Sequence, residues 1–376
     1  MTCSEDTGIV AIGRNEGERL RVCLESAIPC ARDVVYVDSG STDGSLEMAR
    51  GLGVTVVELD TTVPFTAARA RNAGFEALEA SADSGSKPTG VTPSGITPGA
   101  PLRSAPGLRF VQFVDGDCEL DENWMTRARQ VMDAEPDVVV VCGRRAERFP
   151  QDTVYNLLCD IEWDTPIGEA LSCGGDALMR ADAFRAVGGF RPDMIAGEEP
   201  ELCARLRQKG GRVHRIDAPM TLHDARMDSV SQWWTRNVRT GYANAESGAG
   251  QVVPVSPGDY RETRSIWLWG GILPSSIVLA SLLGHPFWGL LLAVVYPAQI
   301  VRISLRRPAP RFSNRDQWIY AVACVLGKIP NFQGQLRYWR GRLTGRRSQL
   351  IEYKGPEESS QSSVAETGTD SRGGSA

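Results

Sequence analysis

The sequence contains no C-x-x-C pair, and its nine cysteines are an odd number. Scattered cysteines argue against a disulfide framework and against a zinc site, so a reducing, cytosolic setting is predicted. The N-terminus is polar and acidic and lacks the basic-then-apolar order of a secretion signal. The bulk of the protein is therefore predicted to remain on the cytoplasmic side of a membrane. The cysteines are Cys3, Cys23, Cys30, Cys118, Cys142, Cys159, Cys173, Cys203 and Cys324.

Two glycine-rich phosphate motifs are also missing. No G-x-G-x-x-G follows the first predicted strand, and Gly51-Leu52-Gly53 precedes a strand rather than a helix. The phosphate-cradling pattern G-x-x-x-x-G-K-[ST] does not occur. These absences disfavour a nicotinamide or flavin dehydrogenase and a P-loop enzyme. The net charge of −5 in 376 residues argues in turn against a dedicated nucleic-acid binder.

The first part of the chain alternates short apolar runs with helix-like segments. Continuous β-branched runs between helices predict an α/β fold, with a mostly parallel sheet covered by helices on both faces. This domain is predicted to span 1–255, with a flexible insertion rich in Ser, Gly, Pro and Thr at 83–107. The predicted strands are 9–13, 33–38, 54–59, 108–114, 137–142 and 212–216, and the predicted helices are 16–26, 43–52, 66–81, 124–134, 182–187 and 199–209.

No charged residue stands between Arg264 and Arg302 when histidine is taken as neutral. The run is long enough for two short membrane spans, predicted at about 265–283 and 286–301, with a turn at 284–286. Both flanks are basic, so the positive-inside rule places both ends in the cytoplasm and predicts a hairpin. A buried core hairpin or a re-entrant segment is the alternative.

A shorter apolar stretch, 317–328, is predicted to be an interfacial helix. The aromatic and basic residues that follow it suit the headgroup layer of an anionic leaflet. A nucleic-acid patch is the rival interpretation, which is disfavoured because the patch directly follows a predicted membrane segment. Residues 256–350 are thus predicted to form a membrane-associated helical region, and 355–376 a disordered tail. The patch consists of Arg337, Tyr338, Trp339, Arg340, Arg342, Arg346 and Arg347.

An apolar, strand-like run that begins at Phe110 ends in Asp115-Gly116-Asp117. Carboxylate oxygens suit hard divalent cations such as Mg²⁺ or Mn²⁺, and such a cation neutralises phosphate charge as a leaving group departs. The glycine lets the backbone turn tightly and approach a ligand closely. A metal site at Asp115 and Asp117 is predicted, with an ordinary surface turn as the alternative.

Two further predicted strands end in small polar or acidic groups. Because open α/β sheets bind ligands at the C-terminal ends of their strands, these groups predict a nucleotide pocket together with Asp115 and Gly116. Asp38 can accept a hydrogen bond from a base NH or a ribose hydroxyl, and a helix N-cap or turn role is its alternative. The groups are Arg14, Asn15 and Glu16 after the first strand, and Asp38, Ser39 and Gly40 after the second.

Five short blocks resemble those of glycosyltransferase family 2, in the family's order, over about residues 8–225. The resemblance implies a GT-A fold and an inverting transfer from a sugar nucleotide. It also implies that Asp38 contacts the nucleotide base, that Arg71 lies near the nucleotide, and that Asp117 binds the metal. The blocks are 10–20, 35–43, 68–74, 115–117 and 197–206.

The last block implies the position of the catalytic base. In the family, a carboxylate opposite the leaving diphosphate takes the proton of the acceptor hydroxyl. Glu199 stands at this position, which is usually Asp, and Glu198 beside it could orient the base or bind the acceptor. The alternative is that both acids simply begin a helix, where they favour the macrodipole.

Further residues of the resemblance surround the metal and the acceptor. Gly175 and Asp176 stand in a small-residue loop that often shapes the acceptor pocket in the family. His223 stands where some members place a third metal ligand, and a hydrogen-bonded loop histidine is the alternative.

The segment after His223 carries tryptophans and arginines. Arg can clamp a diphosphate and Trp can stack on a sugar, so acceptor or diphosphate contacts are predicted here. An amphipathic helix that packs its tryptophans under the sheet is the alternative. Processive synthases of the family carry Gln-x-x-Arg-Trp, whereas this chain has Gln-Trp-Trp-Thr-Arg at 232–236, which favours transfer of a single sugar. The predicted contacts are Trp234, Arg236 and Arg239.

The leading hypothesis is a membrane-attached glycosyltransferase at the cytoplasmic face, in a bacterial inner membrane. It would use a UDP- or GDP-linked sugar, Mn²⁺ or Mg²⁺, and a membrane-borne or saccharide acceptor in polysaccharide, glycolipid or cell-envelope glycan synthesis, with no nucleic-acid partner. A nucleotidyltransferase predicts a Gly-rich basic loop after the first strand, which 13–17 matches poorly. A non-catalytic nucleotide-sugar-binding protein predicts lost acids at the metal or base positions, and both positions are filled.

Overall fold

The computed structural model describes residues 4–84, 107–249, 258–306 and 311–345. Most of the predicted insertion, 85–106, and the whole of the predicted tail, 355–376, lie outside the described residues.

The described strands form one mixed sheet, in the order β3-β2-β1-β4-β8-β6-β9-β5, with β7 beside β9. Pairing is parallel from β3 through β2 and β1 to β4 and between β6 and β9, and it is antiparallel elsewhere. The predicted α/β fold class is confirmed, although parallel pairing is confined to these two groups. The strands are β1 (Ser4–Gly13), β2 (Ala31–Asp38), β3 (Thr55–Glu58), β4 (Phe110–Asp115), β5 (Cys118–Leu120), β6 (Val138–Glu147), β7 (Gly168–Glu169), β8 (Ala177–Arg180) and β9 (Arg212–His223).

The helices cover the sheet and then continue into a C-terminal helical region. A π-helical turn, Trp267–Ile272, joins α9 to α10. The helices are α1 (Glu18–Ala27), α2 (Ser45–Gly51), α3 (Ala67–Ser84), α4 (Trp124–Ala134), α5 (Val154–Trp163), α6 (Ala181–Ala186), α7 (Glu198–Gln208), α8 (Val230–Gly248), α9 (Gly258–Ile266), α10 (Leu273–Leu282), α11 (Pro286–Ala293), α12 (Val295–Arg306), α13 (Asn314–Leu326) and α14 (Lys328–Thr344).

A glycine sets how closely α3 lies on the sheet. A Cβ atom at Gly74 would meet Cγ1 of Val10 at 2.3 Å and Cγ2 of Val37 at 2.9 Å, so no larger residue fits between the helix and the two strands. Interiors of this density tolerate little added volume. The close approach brings Arg71, one turn earlier on α3, to the C-terminal end of β4, where it contacts Asp115.

The C-terminal helices pack directly against α8. A Cβ atom at Gly241 would lie 1.9 Å from the carbonyl oxygen of Asn331, and one at Gly334 would lie 2.0 Å from that of Val238. The backbones of α8 and α14 therefore touch, across the predicted domain boundary at 255. The helix predicted at 317–328 begins at Asn314, because Ser313 and Asp316 form a capping box.

Two continuous helical stretches are long and apolar enough to cross a membrane. The first, Arg261–Leu282, runs from α9 through the π-helical turn to the end of α10, and the second, Pro286–Arg306, comprises α11 and α12. Only 17% and 11% of their most apolar stretches are buried. Large side chains such as Leu282 and Phe287 are exposed by 79% and 69%. This exposure does not fit a hairpin buried in the core of a soluble domain, the alternative that the sequence left open.

Candidate active site

Three predicted ligand-binding strand ends meet at one edge of the sheet. Strand β1 lies between β2 and β4, and its register pairs Gly13 with Asp38 and Ile12 with Asp115. The polar groups that follow β1, β2 and β4 are therefore neighbours in space. This convergence is what a strand-end pocket requires.

The loops after β1 and β2 are held together by side-chain hydrogen bonds. Asn15 has a left-handed backbone, with φ of 55°, and its Oδ1 accepts from the amide of Thr42 at 2.7 Å. The backbone N–H of Asn15 donates to Oγ of Ser41 at 2.9 Å. Arg14 is exposed at the rim, and Glu16 pairs with Arg19 at 2.9 Å. The pairing fixes the two loops relative to each other.

Asp38 is buried at the turn that follows β2. One oxygen accepts from the hydroxyl of Tyr36 at 2.9 Å, and the other accepts from the amides of Gly40 and Ser41, both at 2.8 Å. These contacts are those of a turn-capping aspartate, the alternative considered for this residue. Ser39 is also buried. Nucleotide contact by Asp38, Ser39 or Gly40 stays a prediction.

An ion-pair chain links Arg71, Asp115 and Glu198. The guanidinium of Arg71 donates to Oδ1 of Asp115 and to Oε1 of Glu198, each at 2.8 Å. Burial alone would raise the pKa of Asp115, but Arg71 and Arg145 outweigh it and hold that pKa well below its usual range. Asp115 is therefore ionised, and its carboxylate is positioned by two guanidinium groups.

Asp176 is fully buried and supports the ion-pair chain at Asp115. Its Oδ1 accepts from the backbone amide of Asp115 at 3.0 Å. Its Oδ2 accepts from Oγ1 of Thr221 at 2.8 Å and pairs with Arg145 at 2.7 Å. Each of these contacts is to a protein group. A Cβ atom at Gly175 would lie 2.8 Å from Oδ2 of Asp115, so only glycine leaves this ion-pair chain room.

Asp176→Ala is expected to lower the free energy of unfolding by about 3–5 kcal/mol, because it leaves Arg145 buried without its closest partner. The measurement is chemical unfolding of the detergent-solubilised protein, followed by tryptophan fluorescence. Asp217→Ala, at an exposed position of β9, is the control and should change stability by less than about 0.5 kcal/mol. Equal stability of the two variants would contradict a supporting role for Asp176.

Asp117 and His223 form the centre of a second cluster. The ligand atoms of Asp117, Cys118 and His223 all lie within 4.8 Å of one another, and all three residues are buried. Oδ2 of Asp117 lies 3.3 Å from Nε2 of His223. His223 is the last residue of β9 and is paired with Cys118 of β5, so it is a strand residue and not the loop histidine considered as the alternative.

Glu147 lies behind His223. Its Oε2 is 3.6 Å from Nδ1 of His223, which leaves Nε2 as the atom facing Asp117. The same oxygen accepts from the amide of Ala225 at 3.1 Å, so the carboxylate is anchored. Metal-binding histidines commonly have a carboxylate behind the ring. Neither Glu147 nor Arg145 was among the predicted site residues. They are two residues apart on β6, after its apolar start, so both side chains lie on the same face of the sheet.

Glu198 and Glu199 begin α7 and face different partners. Oε1 of Glu199 accepts from the amide of Cys173 at 2.5 Å and contacts Sγ of Cys173 at 3.0 Å and Sγ of Cys203 at 3.1 Å. Burial raises the pKa of Glu199. Glu198 instead pairs with Arg71. The two acids therefore have distinct environments, which is the arrangement that separates a base from an orienting group.

The predicted contacts on α8 are made to neighbouring helices and loops. Nε1 of Trp234 donates to Oε1 of Gln333 on α14 at 2.8 Å. Arg236 pairs with Glu162 at 2.6 Å, and Arg239 donates to the carbonyl of Ile195 at 3.4 Å. Substrate contact by these three residues stays a prediction.

The residues around Trp234 have packing and capping roles. Trp233 packs in a small apolar cluster with Leu158 and Met227, as the amphipathic-helix alternative predicted for it. Gln232 forms a capping box with Ser229. The glutamine shared with the processive motif therefore serves here to begin α8.

Comparison with known proteins agrees with the predicted resemblance. The family model described as "Glycosyl transferase family 2" matches residues 9–80. The chain is 26% identical over 295 residues to the succinoglycan biosynthesis protein ExoA of Rhizobium meliloti (strain 1021), which covers 73% of this chain and 82% of that protein.

The fold resembles that of a solved structure. The mannosyltransferase PcManGT from Pyrobaculum calidifontis, in complex with GDP-Man and Mn²⁺, has a TM-score of 0.51 and 17% identity, over 85% of this chain and 86% of that chain. The S. aureus TarS 1–349 structure has a TM-score of 0.46 and 13% identity, over 89% of this chain and 92% of that chain.

The fold is an α/β fold of the GT-A type. The family match and the curated relative confirm the predicted resemblance to glycosyltransferase family 2, and the chain is a glycosyltransferase.

Proposed function

We propose that this chain transfers one sugar from a nucleotide-sugar donor to an acceptor hydroxyl, with inversion and with the help of a divalent metal ion. The observation that supports this most is the convergence of Asp115 and Asp117 with Arg71 and Glu198 at the strand ends. A basic group and paired carboxylates at one sheet edge suit a diphosphate leaving group. The donor is proposed to be UDP- or GDP-linked, and the GDP-Man of the mannosyltransferase structure supports the GDP-linked form.

Asp117 and His223 would hold the metal ion, with Asp115 beside them. An octahedral ion with bonds of 2.0–2.1 Å places adjacent ligand atoms about 3 Å apart, and Oδ2 of Asp117 lies 3.3 Å from Nε2 of His223. Carboxylate oxygens suit both Mn²⁺ and Mg²⁺, whereas the imidazole of His223 is a typical ligand of transition metals and favours Mn²⁺ of the two. When bound, the ion neutralises negative charge on the leaving diphosphate. The Mn²⁺ in the mannosyltransferase structure supports this assignment.

Glu199 is the base in this proposal. The amide of Cys173 and the thiols of Cys173 and Cys203 contact Oε1 of Glu199 and fix its side chain. Burial raises the pKa of Glu199 and therefore its affinity for a proton. The carboxylate of Glu198 is instead engaged by the guanidinium of Arg71. Glu198 therefore acts as the orienting acid that connects α7 to Asp115 through Arg71.

Incubation of the full chain with labelled UDP- and GDP-sugars, Mn²⁺ and lipid-linked or free saccharide acceptors tests the proposal. A glycosyltransferase releases the nucleoside diphosphate and labels the acceptor. Release of pyrophosphate would indicate a nucleotidyltransferase instead. A donor-dependent rise in melting temperature without either product would indicate a non-catalytic nucleotide-sugar-binding protein.

The acceptor is proposed to be membrane-borne, in the synthesis of a polysaccharide or cell-envelope glycan. The curated relative is named for succinoglycan biosynthesis, and two exposed apolar helices follow the enzyme domain. Both ends of the helical hairpin would face the cytoplasm, because both flanks are basic. Such an arrangement keeps the active site close to the leaflet that holds the acceptor.

We expect the full chain to sediment with membranes and to be released by detergent but not by high salt or carbonate. The reason is the exposed apolar surface of Arg261–Leu282 and Pro286–Arg306. Release by carbonate would indicate an interfacial attachment of these helices, and recovery in the soluble fraction would contradict membrane attachment altogether.

A further inference from the structure

Two buried thiols flank the carboxylate of Glu199. Cys203 lies one turn after Glu199 on α7, so both side chains project from the same helix face. Cys173 approaches from the segment between β7 and β8. Sγ of Cys173 lies 3.7 Å from Sγ of Cys203, and both sulfurs lie 3.0–3.1 Å from Oε1 of Glu199. The three ligand atoms form a compact triangle on one side of the carboxylate.

The dimensions of this triangle suit a tetrahedral metal ion. With Zn–S bonds of about 2.3 Å, two sulfur ligands of a tetrahedral Zn²⁺ are about 3.8 Å apart, and the two sulfurs here are 3.7 Å apart. A carboxylate oxygen at about 2.0 Å from the ion would lie about 3.5 Å from each sulfur. Glu199 would therefore move outward by about half an ångström, within the freedom of its side-chain torsions.

The number of thiols distinguishes this cluster from the one at Asp117 and His223, because it has two and the other has one, Cys118. Thiolates favour Zn²⁺ and softer ions, whereas oxygen ligands suit Mg²⁺ and Mn²⁺. The two thiols would lose their protons to solvent as the ion binds. Cys173 and Glu199 retain small exposed fractions, 8% and 7%, so an ion can reach the cluster from solvent.

We propose that Cys173, Glu199 and Cys203 form a second metal site, which binds a thiophilic divalent ion of the Zn²⁺ class and inhibits sugar transfer by occupying Glu199. The binding itself is independent of the proposed function. The inhibition rests on it, because it requires Glu199 to act as the base.

The binding test uses the full chain in detergent, saturated with Mn²⁺ and titrated with Cd²⁺ as a spectroscopic probe for Zn²⁺. We expect a thiolate-to-metal charge-transfer band that saturates near one equivalent and is displaced by Zn²⁺. The Cys173→Ser/Cys203→Ser double variant should lose this band and bind Zn²⁺ at least about a hundredfold more weakly. Cys159→Ser, which removes a buried thiol from a different cluster, should keep both properties.

A measurement on the unmodified protein guards against a variant that fails to fold. Zn²⁺ should slow alkylation of Cys173 and Cys203, and not of Cys159, when the modified peptides are mapped by mass spectrometry under partly unfolding conditions. Equal charge-transfer bands in the wild type and a folded double variant, or equal alkylation with and without Zn²⁺, would overturn the site.

The inhibition test adds Zn²⁺ to the transfer reaction at saturating Mn²⁺. We expect the wild type to lose activity over the same Zn²⁺ range in which the thiols become protected, and Cys159→Ser to behave alike. Full activity while the thiols are protected would overturn the inhibitory role, whereas the proposed metal site itself would remain supported. A chain without any transfer activity refutes the proposed function, and the binding test still decides the site.

Discussion

Asp117→Ala is expected to reduce metal-dependent sugar transfer by about a thousandfold. The side chain lies 3.3 Å from Nε2 of His223 and is buried, so its removal takes a charged ligand from the proposed ion. A bound metal contributes several kcal/mol of charge stabilisation in the transition state, and each 1.36 kcal/mol is a factor of ten in rate. The measurement is release of nucleoside diphosphate at increasing Mn²⁺, together with Mn²⁺ binding by equilibrium dialysis.

Asp217→Ala is the matched control for this prediction. Asp217 is an exposed acid on β9, the strand that carries His223, and its loss removes the same charge from the protein. It should keep both Mn²⁺ binding and transfer within about twofold. Wild-type activity in Asp117→Ala would refute the metal assignment. Lost activity with unchanged Mn²⁺ affinity would move Asp117 from the metal to another role.

The fold was predictable from sequence where strands are long and buried. The apolar runs that became β1, β2 and β4 are continuous, as expected for strands covered on both faces, so their composition identified them. The strands β5, β7 and β8 have two to four residues each, too few to give any period. Because these short strands make the antiparallel pairs, the sequence did not reveal which strands pair antiparallel.

The C-terminal region shows a different limit. The apolar hairpin was evident from composition alone, and its helices match the predicted spans closely. The contact between α14 and α8 was not evident, because it depends on glycines such as Gly241 and Gly334 that gain meaning only when two helices approach. Sequence reasoning treated 256–350 as a separate region, whereas α14 packs on the helix that follows β9.

The candidate site was predictable only in its parts that follow strands. Asp115 and Asp117 end an apolar run, and the family blocks added Arg71 and Glu199. Asp176 was predicted as an acceptor or diphosphate contact, which stays a prediction, whereas its buried ion pair with Arg145 was not foreseen. The thiols beside Glu199 were missed for a geometric reason. Cys173 and Cys203 are 30 residues apart in the sequence, whereas a C-x-x-C motif identifies only cysteines that are close together in the sequence.

Glu199→Gln is expected to reduce transfer by about a thousandfold, the middle of the range for loss of a general base. Gln keeps the shape of the side chain and an oxygen for the amide of Cys173, but it cannot take a proton from the acceptor. Donor affinity and Mn²⁺ binding should therefore remain close to the wild-type values. The measurement is single-turnover transfer at saturating donor, with donor binding followed separately by thermal shift.

The pH profile provides the sharper test of the same residue. A base acts in its ionised form, so activity is lost as pH falls through its pKa. Burial raises the pKa of Glu199 from 4.5, so the acid limb of the wild-type profile should lie above pH 4.5. The residual activity of Glu199→Gln should lack that limb. Glu198→Gln is the discriminating control, because it loses its ion pair with Arg71 and should retain the limb at reduced activity. If the limb disappears in Glu198→Gln and persists in Glu199→Gln, the base is Glu198, and Arg71 must release it when the donor binds.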